Sequence, residues 1–285
     1  MLLHESSEGF LGETVNAEKA KYLLLPVPME MTTSYLKGTR FGPSSVISAS
    51  RSLENYDYEL DYNVSDLIFT LNELELPPDP TKSIDIIKKS VSDIILSNKI
   101  PILLGGEHTI TYGASLAFED ETIFLIFDAH ADMKHDFLGV ELNHASTSYL
   151  ISRKKKIILV GVRSFNLEEK EKITKEEIPV FYLKDTEKSN FLSSLKRNIA
   201  GKKVYISIDM DIFDPSIAPG VGTPQPNGIQ YERFLEMLKA VVNSSKIAGV
   251  DITEIRPLPD DNRTEILASK LIIDIVSLDM LKYLK

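Results

Sequence analysis

Eight short apolar runs most constrain what this chain can fold into: residues 22–27, 67–71, 100–104, 123–127, 157–162, 179–183, 204–208 and 247–250. They are rich in β-branched residues, and most are apolar throughout, the pattern of strands covered on both faces. Longer amphipathic stretches lie between them. In residues 83–98, Ile84, Ile87, Val91, Ile94 and Ile95 recur at helical spacing, while Lys88, Lys89 and Asp93 fall off that face. Residues 231–243 repeat the pattern through Phe234, Leu235, Leu238 and Val242. Residues 263–284 read as a long terminal helix after a turn at 257–261. Strands alternating with helices predict an α/β fold of three αβα layers, with a mainly parallel sheet of about eight strands. The Pro- and Gly-rich residues 214–228 lie inside this alternation and read as a structured active-site loop, not a linker. One domain over residues 1–285 is expected.

Composition narrows the chemistry. The formal net charge of −10 argues against nucleic acid or an anionic membrane as a partner, since both would be repelled. With no cysteine, any metal must sit on His, Asp or Glu, and disulfides and thiol nucleophiles are excluded. Residues 1–20 show no apolar core flanked by basic residues, so no secretory leader is expected and a cytoplasmic location is.

Polar residues gather where four of the runs end. Residues 100–104 lead into Gly105-Gly106-Glu107-His108, and 123–127 into Asp128-Ala129-His130-Ala131-Asp132. Residues 204–208 lead into Asp209-Met210-Asp211, and 247–250 into Asp251-Ile252-Thr253-Glu254. In open α/β sheets, ligands bind beyond the carboxyl ends of the strands. Carboxylates brought together there raise one another's pKa unless cations neutralise them. Oxygen and imidazole donors without sulfur suit a pair of ions such as Mn²⁺. The D-x-H-x-D and D-x-D spacings fit because alternate residues of a strand point to one side. Taken singly, an Asp-x-Asp is more often a solvated turn; the joint pattern carries the metal reading.

These residues resemble the ureohydrolase family of arginases, agmatinases and formimidoglutamases, over nearly the whole chain. The resemblance starts at Thr32-Thr33-Ser34-Tyr35 and Gly38-Thr39-Arg40-Phe41-Gly42-Pro43. It runs through the strand-end motifs and Ser207–Pro215 to Asp251-Ile252-Thr253-Glu254-Ile255-Arg256-Pro257. It implies an arginase-like fold and two divalent ions, manganese by family type, held by His108, Asp128, His130, Asp132, Asp209 and Asp211. By resemblance, His108, Asp128, Asp132 and Asp209 surround one ion, and His130, Asp128, Asp209 and Asp211 the other, with Asp128 and Asp209 bridging. Two such ions lower the pKa of water, so that hydroxide exists near neutral pH to attack a guanidinium carbon. The resemblance further gives Asp132 a part in proton transfer to the leaving amine and Glu254 the task of orienting the guanidinium. His144 matches an active-site histidine that shuttles protons; by itself it would read as a helix-start residue. Gly105 and Gly106 are expected to let the backbone approach the site closely.

The expected reaction is hydrolysis of a guanidino compound to urea and an amine, agmatine to putrescine before others. Aminopropylagmatine, arginine or a guanidino acid is the alternative. In the loop 133–143, Asp136 and Glu141 would suit a cationic tail, while Lys134 and His135 would suit a carboxylate. The segment Gly38–Pro43 is typical of agmatinases and also reads as helix initiation at Pro43. Two departures bear on the tail of the substrate. His144 is followed by Ala145-Ser146 where many relatives have Gly-Thr, and the 223–228 loop carries Gln225 and Asn227. A metallophosphoesterase is disfavoured because no Asn-His-Asp/Glu motif or His-x-His pair is present. From a different class, a silent scaffold would require loss of a ligand, and the set is complete. The resemblance also implies a homo-oligomer, a trimer or hexamer.

Overall fold

In the computed structural model, which describes residues 9–137, 139–282 and 284, all eight apolar runs become strands of one sheet. In chain order the strands are β1 (Tyr22–Val27), β2 (Tyr56–Asp57), β3 (Tyr62–Asn63), β4 (Ile68–Thr70) and β5 (Ile100–Gly105). Then follow β6 (Ile123–Phe127), β7 (Ile157–Val162), β8 (Val180–Tyr182), β9 (Lys203–Asp209) and β10 (Lys246–Thr253). β2 and β3 form a separate antiparallel hairpin. The other eight are ordered β4-β1-β5-β10-β9-β6-β7-β8, with every neighbouring pair parallel.

The helices are α1 (Gly42–Ser50), α2 (Pro80–Leu96), α3 (Thr109–Ser115), α4 (Thr147–Ser152), α5 (Leu167–Lys175), α6 (Phe191–Ile199), α7 (Tyr231–Ser244) and α8 (Arg263–Leu281). Their starts have local causes. The Asp79 carboxylate accepts from the Lys82 N–H ahead of Pro80, while Asn166 and Glu169 close a reciprocal capping box on α5. Alternate residues of each strand feed opposite cores. Leu24, Ile102, Leu125 and Ile206 pack with Val46, Leu195, Leu238 and Leu271 on one face. Leu23, Leu103, Ile126 and Leu159 pack with Ile87, Ile110, Ile151 and Ile173 on the other. Burial on both faces is why these strands read as unbroken apolar runs.

Several boundaries differ from expectation by one to three residues. The strand expected at 247–250 continues to Thr253, because its backbone stays paired with β9 through Asp251↔Ser207 and Thr253↔Asp209. Polar side chains hid this continuation, since ladder bonds use the backbone alone. The terminal helix stops at Leu281 instead of 284, and residue 283 lies outside the described residues. Of the segment 1–20 read for a leader, residues 1–8 also lie outside them. Among the described residues, no helix is long and apolar enough to cross a membrane.

Candidate metal centre

Strands β5, β10, β9 and β6 lie side by side in the middle of the sheet, and they are the four whose ends carry the polar motifs. Close backbone packing lets their ends converge. A Cβ on Gly106 would sit 2.0 Å from the Met29 carbonyl oxygen, and one on Gly105 2.5 Å from Ile110 Cδ1. Both glycines are thus points of close packing, against Met29 and Ile110.

The aspartates turn their inner oxygens together by spending the outer ones on backbone. Asp128 Oδ1 accepts from His130 N (2.6 Å), Asp209 Oδ1 from Asp211 N (2.9 Å) and Asp211 Oδ1 from Ala129 N (3.1 Å). This corrects the reason for the two-residue spacing. β6 ends at Phe127 and β9 at Asp209, so Asp128-x-His130 and Asp209-x-Asp211 are side-chain-to-backbone turns beyond the strands, not strand alternation. His108 Nδ1 then lies 3.1 Å from Asp132 Oδ2, 3.2 Å from Asp128 Oδ2 and 3.6 Å from Asp209 Oδ2. His130 Nδ1 lies 2.8 Å from Asp211 Oδ2 and 3.6 Å from Asp128 Oδ1. Two groups, His108/Asp128/Asp132 and Asp128/His130/Asp211, each place their ligand atoms within 4.8 Å of one another and can hold a metal ion. Asp128 is common to both.

The electrostatics call for cations. Ser207 Oγ donates to Asp251 Oδ1 (2.7 Å) and so accepts from His108 Nε2 (3.0 Å), which turns the Nδ1 lone pair toward three carboxylates. Lone pair against lone pair is repulsive unless a proton or a metal ion stands between them. The buried Asp128 Oδ2 has no hydrogen-bond partner despite its contact with His108. Burial opposes charge on His130, yet Asp211 and Asp128 outweigh it and push the imidazole up to about 12. His108 is likewise pushed well up, against its burial, by Asp128 and Asp132. Burial, then Asp128, raises Asp132 to about 6; burial with Asp211 and Asp128 raises Asp209 well above the usual carboxylate range. Each imidazole is thus set to bind a positive centre at the nitrogen facing the carboxylates, and the oxygen and nitrogen donors fit divalent ions.

Above these groups opens a cavity of about 310 Å³, lined by His130, Asp132, Asp209 and Glu254 and by Ser34, Lys134, His144, Phe165, Asn166 and Glu169. Glu254 is 6% exposed; its Oε1 accepts from His108 N (2.8 Å), and burial above all pushes it up to about 8. His144 begins a short 3₁₀ turn leading into α4, so its local reading as a helix start holds beside its place in the cavity. Asp136 and Glu141 remain on the exposed loop near His135, off the cavity lining, so the tail preference expected of them is not met. Lys134 does line it, with its ammonium 4.9 Å from the Phe137 ring centre.

Several site residues have partners that their local sequence does not signal. Asp251, held by Ser207 and by Thr111 Oγ1 (2.8 Å), stands behind His108. Gln225, noted only as a departure, sets its amide 3.2 Å from His130 Nε2. Arg163 donates to the carbonyls of Asp211 (2.7 Å), Gln225 and Pro226 (both 3.1 Å), pinning the 214–228 loop over the site. Ser, Gln and Arg are common surface types, and only neighbouring strands give them these roles.

Comparison with known proteins agrees with this fold. The N(1)-aminopropylagmatine ureohydrolase of Thermococcus kodakarensis is 34% identical over 263 residues, covering 90% of each chain. The agmatinase of Pyrococcus horikoshii is 31% identical over 269 residues, 93% of this chain and 94% of that one. The crystal structure of the agmatine ureohydrolase of Thermoplasma volcanium superposes with a TM-score of 0.90 at 31% identity, covering 98% of this chain and 96% of the other. The family model described as Arginase family matches residues 20–277, a span that holds every strand of the sheet and all six candidate ligands, and the chain belongs to that family.

Proposed function

We propose that the protein hydrolyses agmatine to putrescine and urea, with two divalent ions, manganese for preference, held by His108, Asp128, His130, Asp132, Asp209 and Asp211. Membership of the arginase family makes the chain a metal-dependent hydrolase of guanidino C–N bonds; the proposal concerns the tail, the metal and the residue roles. Asp209, whose Oδ2 lies 3.6 Å from His108 Nδ1, would join Asp128 among the ligands, as the family resemblance implies.

The observation that carries the reading is a cavity whose wall holds two buried carboxylates besides the candidate ligands. Glu254 is 6% exposed, and Glu169 is 4% exposed and accepts from the Met133 and Asn166 N–H groups. A short dication, guanidinium at one end and ammonium at the other, matches that charge pattern. The longer aminopropylagmatine, favoured by the name of the Thermococcus relative, would carry a further ammonium past Phe165. The adjoining hollow of about 450 Å³ is lined by Phe165, Lys170, Tyr182 and Lys184, and its lysines repel that group.

The bound ions supply a hydroxide nucleophile and polarising charge. Glu254 orients the planar guanidinium by paired hydrogen bonds. Asp132 carries a proton to the leaving amine, and His144 exchanges it with solvent. The whole chain acts as one domain, in keeping with a sheet that draws strands from both halves, and assembles as a trimer or hexamer, which light scattering would read directly.

Urea release by the Mn²⁺-loaded protein should be fastest on agmatine in a panel with arginine, aminopropylagmatine, guanidinobutyrate, guanidinopropionate and formimidoglutamate. A higher kcat/KM on any other member would overturn the substrate assignment. Lys134 makes the guanidino acids the controls that matter most.

A further inference from the structure

Behind His144 lies a chain of hydrogen bonds whose directions can be worked out one proton at a time. It starts at Glu107, fully buried at 0% exposure. Its Oε2 accepts from the backbone N–H groups of Met31 and Thr32 (2.7 Å each). Its Oε1 accepts from the hydroxyls of Thr32 (2.9 Å) and Thr109 (2.8 Å). The carboxylate is an acceptor in all four contacts, so the single proton of the Thr32 hydroxyl points to it. That leaves Thr32 Oγ1 only lone pairs for its other neighbours. One accepts from the His144 backbone N–H (3.0 Å) and the other faces His144 Nδ1 at 3.2 Å. A contact between an oxygen lone pair and Nδ1 is attractive only if Nδ1 carries the hydrogen. The neutral ring then holds its free lone pair on Nε2, which faces the Ser34 hydroxyl (3.1 Å) on the cavity wall.

We propose that Thr32 and Glu107 are positioning residues for His144, fixing it as the Nδ1–H tautomer with the Nε2 lone pair aimed into the cavity. This rests on the reading of His144 as the group that exchanges protons there. Free histidine prefers the opposite tautomer, which would turn an N–H toward the cavity and leave the neutral ring without a basic nitrogen on that side. Thr32 also ties the His144 backbone, so the same hydroxyl sets both where the ring stands and which nitrogen is basic. Burial keeps His144 neutral near pH 7, with the Glu107 charge acting in the other direction, so its tautomer matters under working conditions.

Nitrogen-15 NMR of protein loaded with diamagnetic Zn²⁺ tests this directly, with the His144 signals assigned by their loss in His144→Asn. The wild type should show neutral His144 with the hydrogen on Nδ1; a hydrogen on Nε2 would overturn the proposal without any further variant. Thr32→Val removes the hydroxyl and keeps the side-chain shape. It should shift the signals toward the Nε2–H form and lower kcat for urea release about 10- to 100-fold, with KM changed less than about twofold. Thr32→Ser restores the hydroxyl and should recover kcat to within about threefold of wild type. A Thr32→Val protein with wild-type kcat and tautomer would also overturn it. If the wild type releases urea from no guanidine, the functional reading fails, and the tautomer measurement still decides the role of Thr32.

Discussion

Asp132 and Glu254 sit on backbone that side-chain-bearing residues rarely adopt, with φ of 50° and 61°. Left-handed geometry costs roughly 1–2 kcal/mol at each such residue, and here the cost coincides with two side chains that face the cavity. Glu254 is held there twice: its N–H donates to the Gly106 carbonyl and its carboxylate accepts from His108 N, both at 2.8 Å. Glu254→Gln keeps the shape and these contacts while giving up the charge that would meet a guanidinium. It should lower kcat/KM about 100-fold at unchanged metal content, the scale of one hydrogen bond to a charged group. A fall below threefold would mean that the carboxylate does not hold the guanidinium. All six candidate ligands were legible in the sequence through its family resemblance, at strand ends where Asp and His gather. The partners of Ser207, Asp251 and Gln225 were not, since they depend on which strand or loop lies next to them.

At the scale of elements, the β2–β3 hairpin is fastened to α7 and α8 by a buried charge cluster. Lys270 Nζ reaches Asp57 Oδ2 (2.9 Å) and Asp274 Oδ1 (2.5 Å), and the Tyr231 hydroxyl donates to Asp274 Oδ2 (2.9 Å). Two buried carboxylates share one ammonium, and burial outweighs Lys270 to push Asp274 up to about 7 from an ordinary 3.8. A folded-state value above the unfolded one means the native protein binds this proton more tightly. Its share of stability is therefore present below about pH 4 and is lost as pH rises to about 7. Lys270→Met leaves both acids buried without their counter-ion and should cost about 3 kcal/mol, read from the denaturant midpoint at pH 7.5. Loss of less than about 1 kcal/mol would show the cluster to be solvated. The eight strands and three of the helices were readable from periodicity. The short helices α3 and α4 were not, because seven and six residues are too few to show a period, and α3 is also buried nearly all round.

For the whole molecule, metal binding and folding should be linked. Protons and metal ions compete for the nitrogens of His108 and His130, so affinity should rise with pH as fewer protons need to be displaced. Calorimetric titration with Mn²⁺ in buffers of different ionisation enthalpy should show net proton release. At free metal about 100-fold above Kd, each ion should add about 3 kcal/mol to stability, so chelation should lower Tm by several degrees. Neither proton release nor a chelator-dependent Tm would remove the metal centre from the account. The sequence by itself determined the strands and the three-layer fold, because each follows from local spacing of apolar and polar residues, and its family resemblance named the six candidate ligands. Only the tertiary structure decided that β5, β10, β9 and β6 are neighbours, and with it the partners of the ligands. Parallel pairing joins strands separated by long stretches of chain, and the order in which they meet is set by packing across the sheet. Asp251 therefore stands behind His108, and Glu107 behind His144, by virtue of a layout that no local run of residues contains.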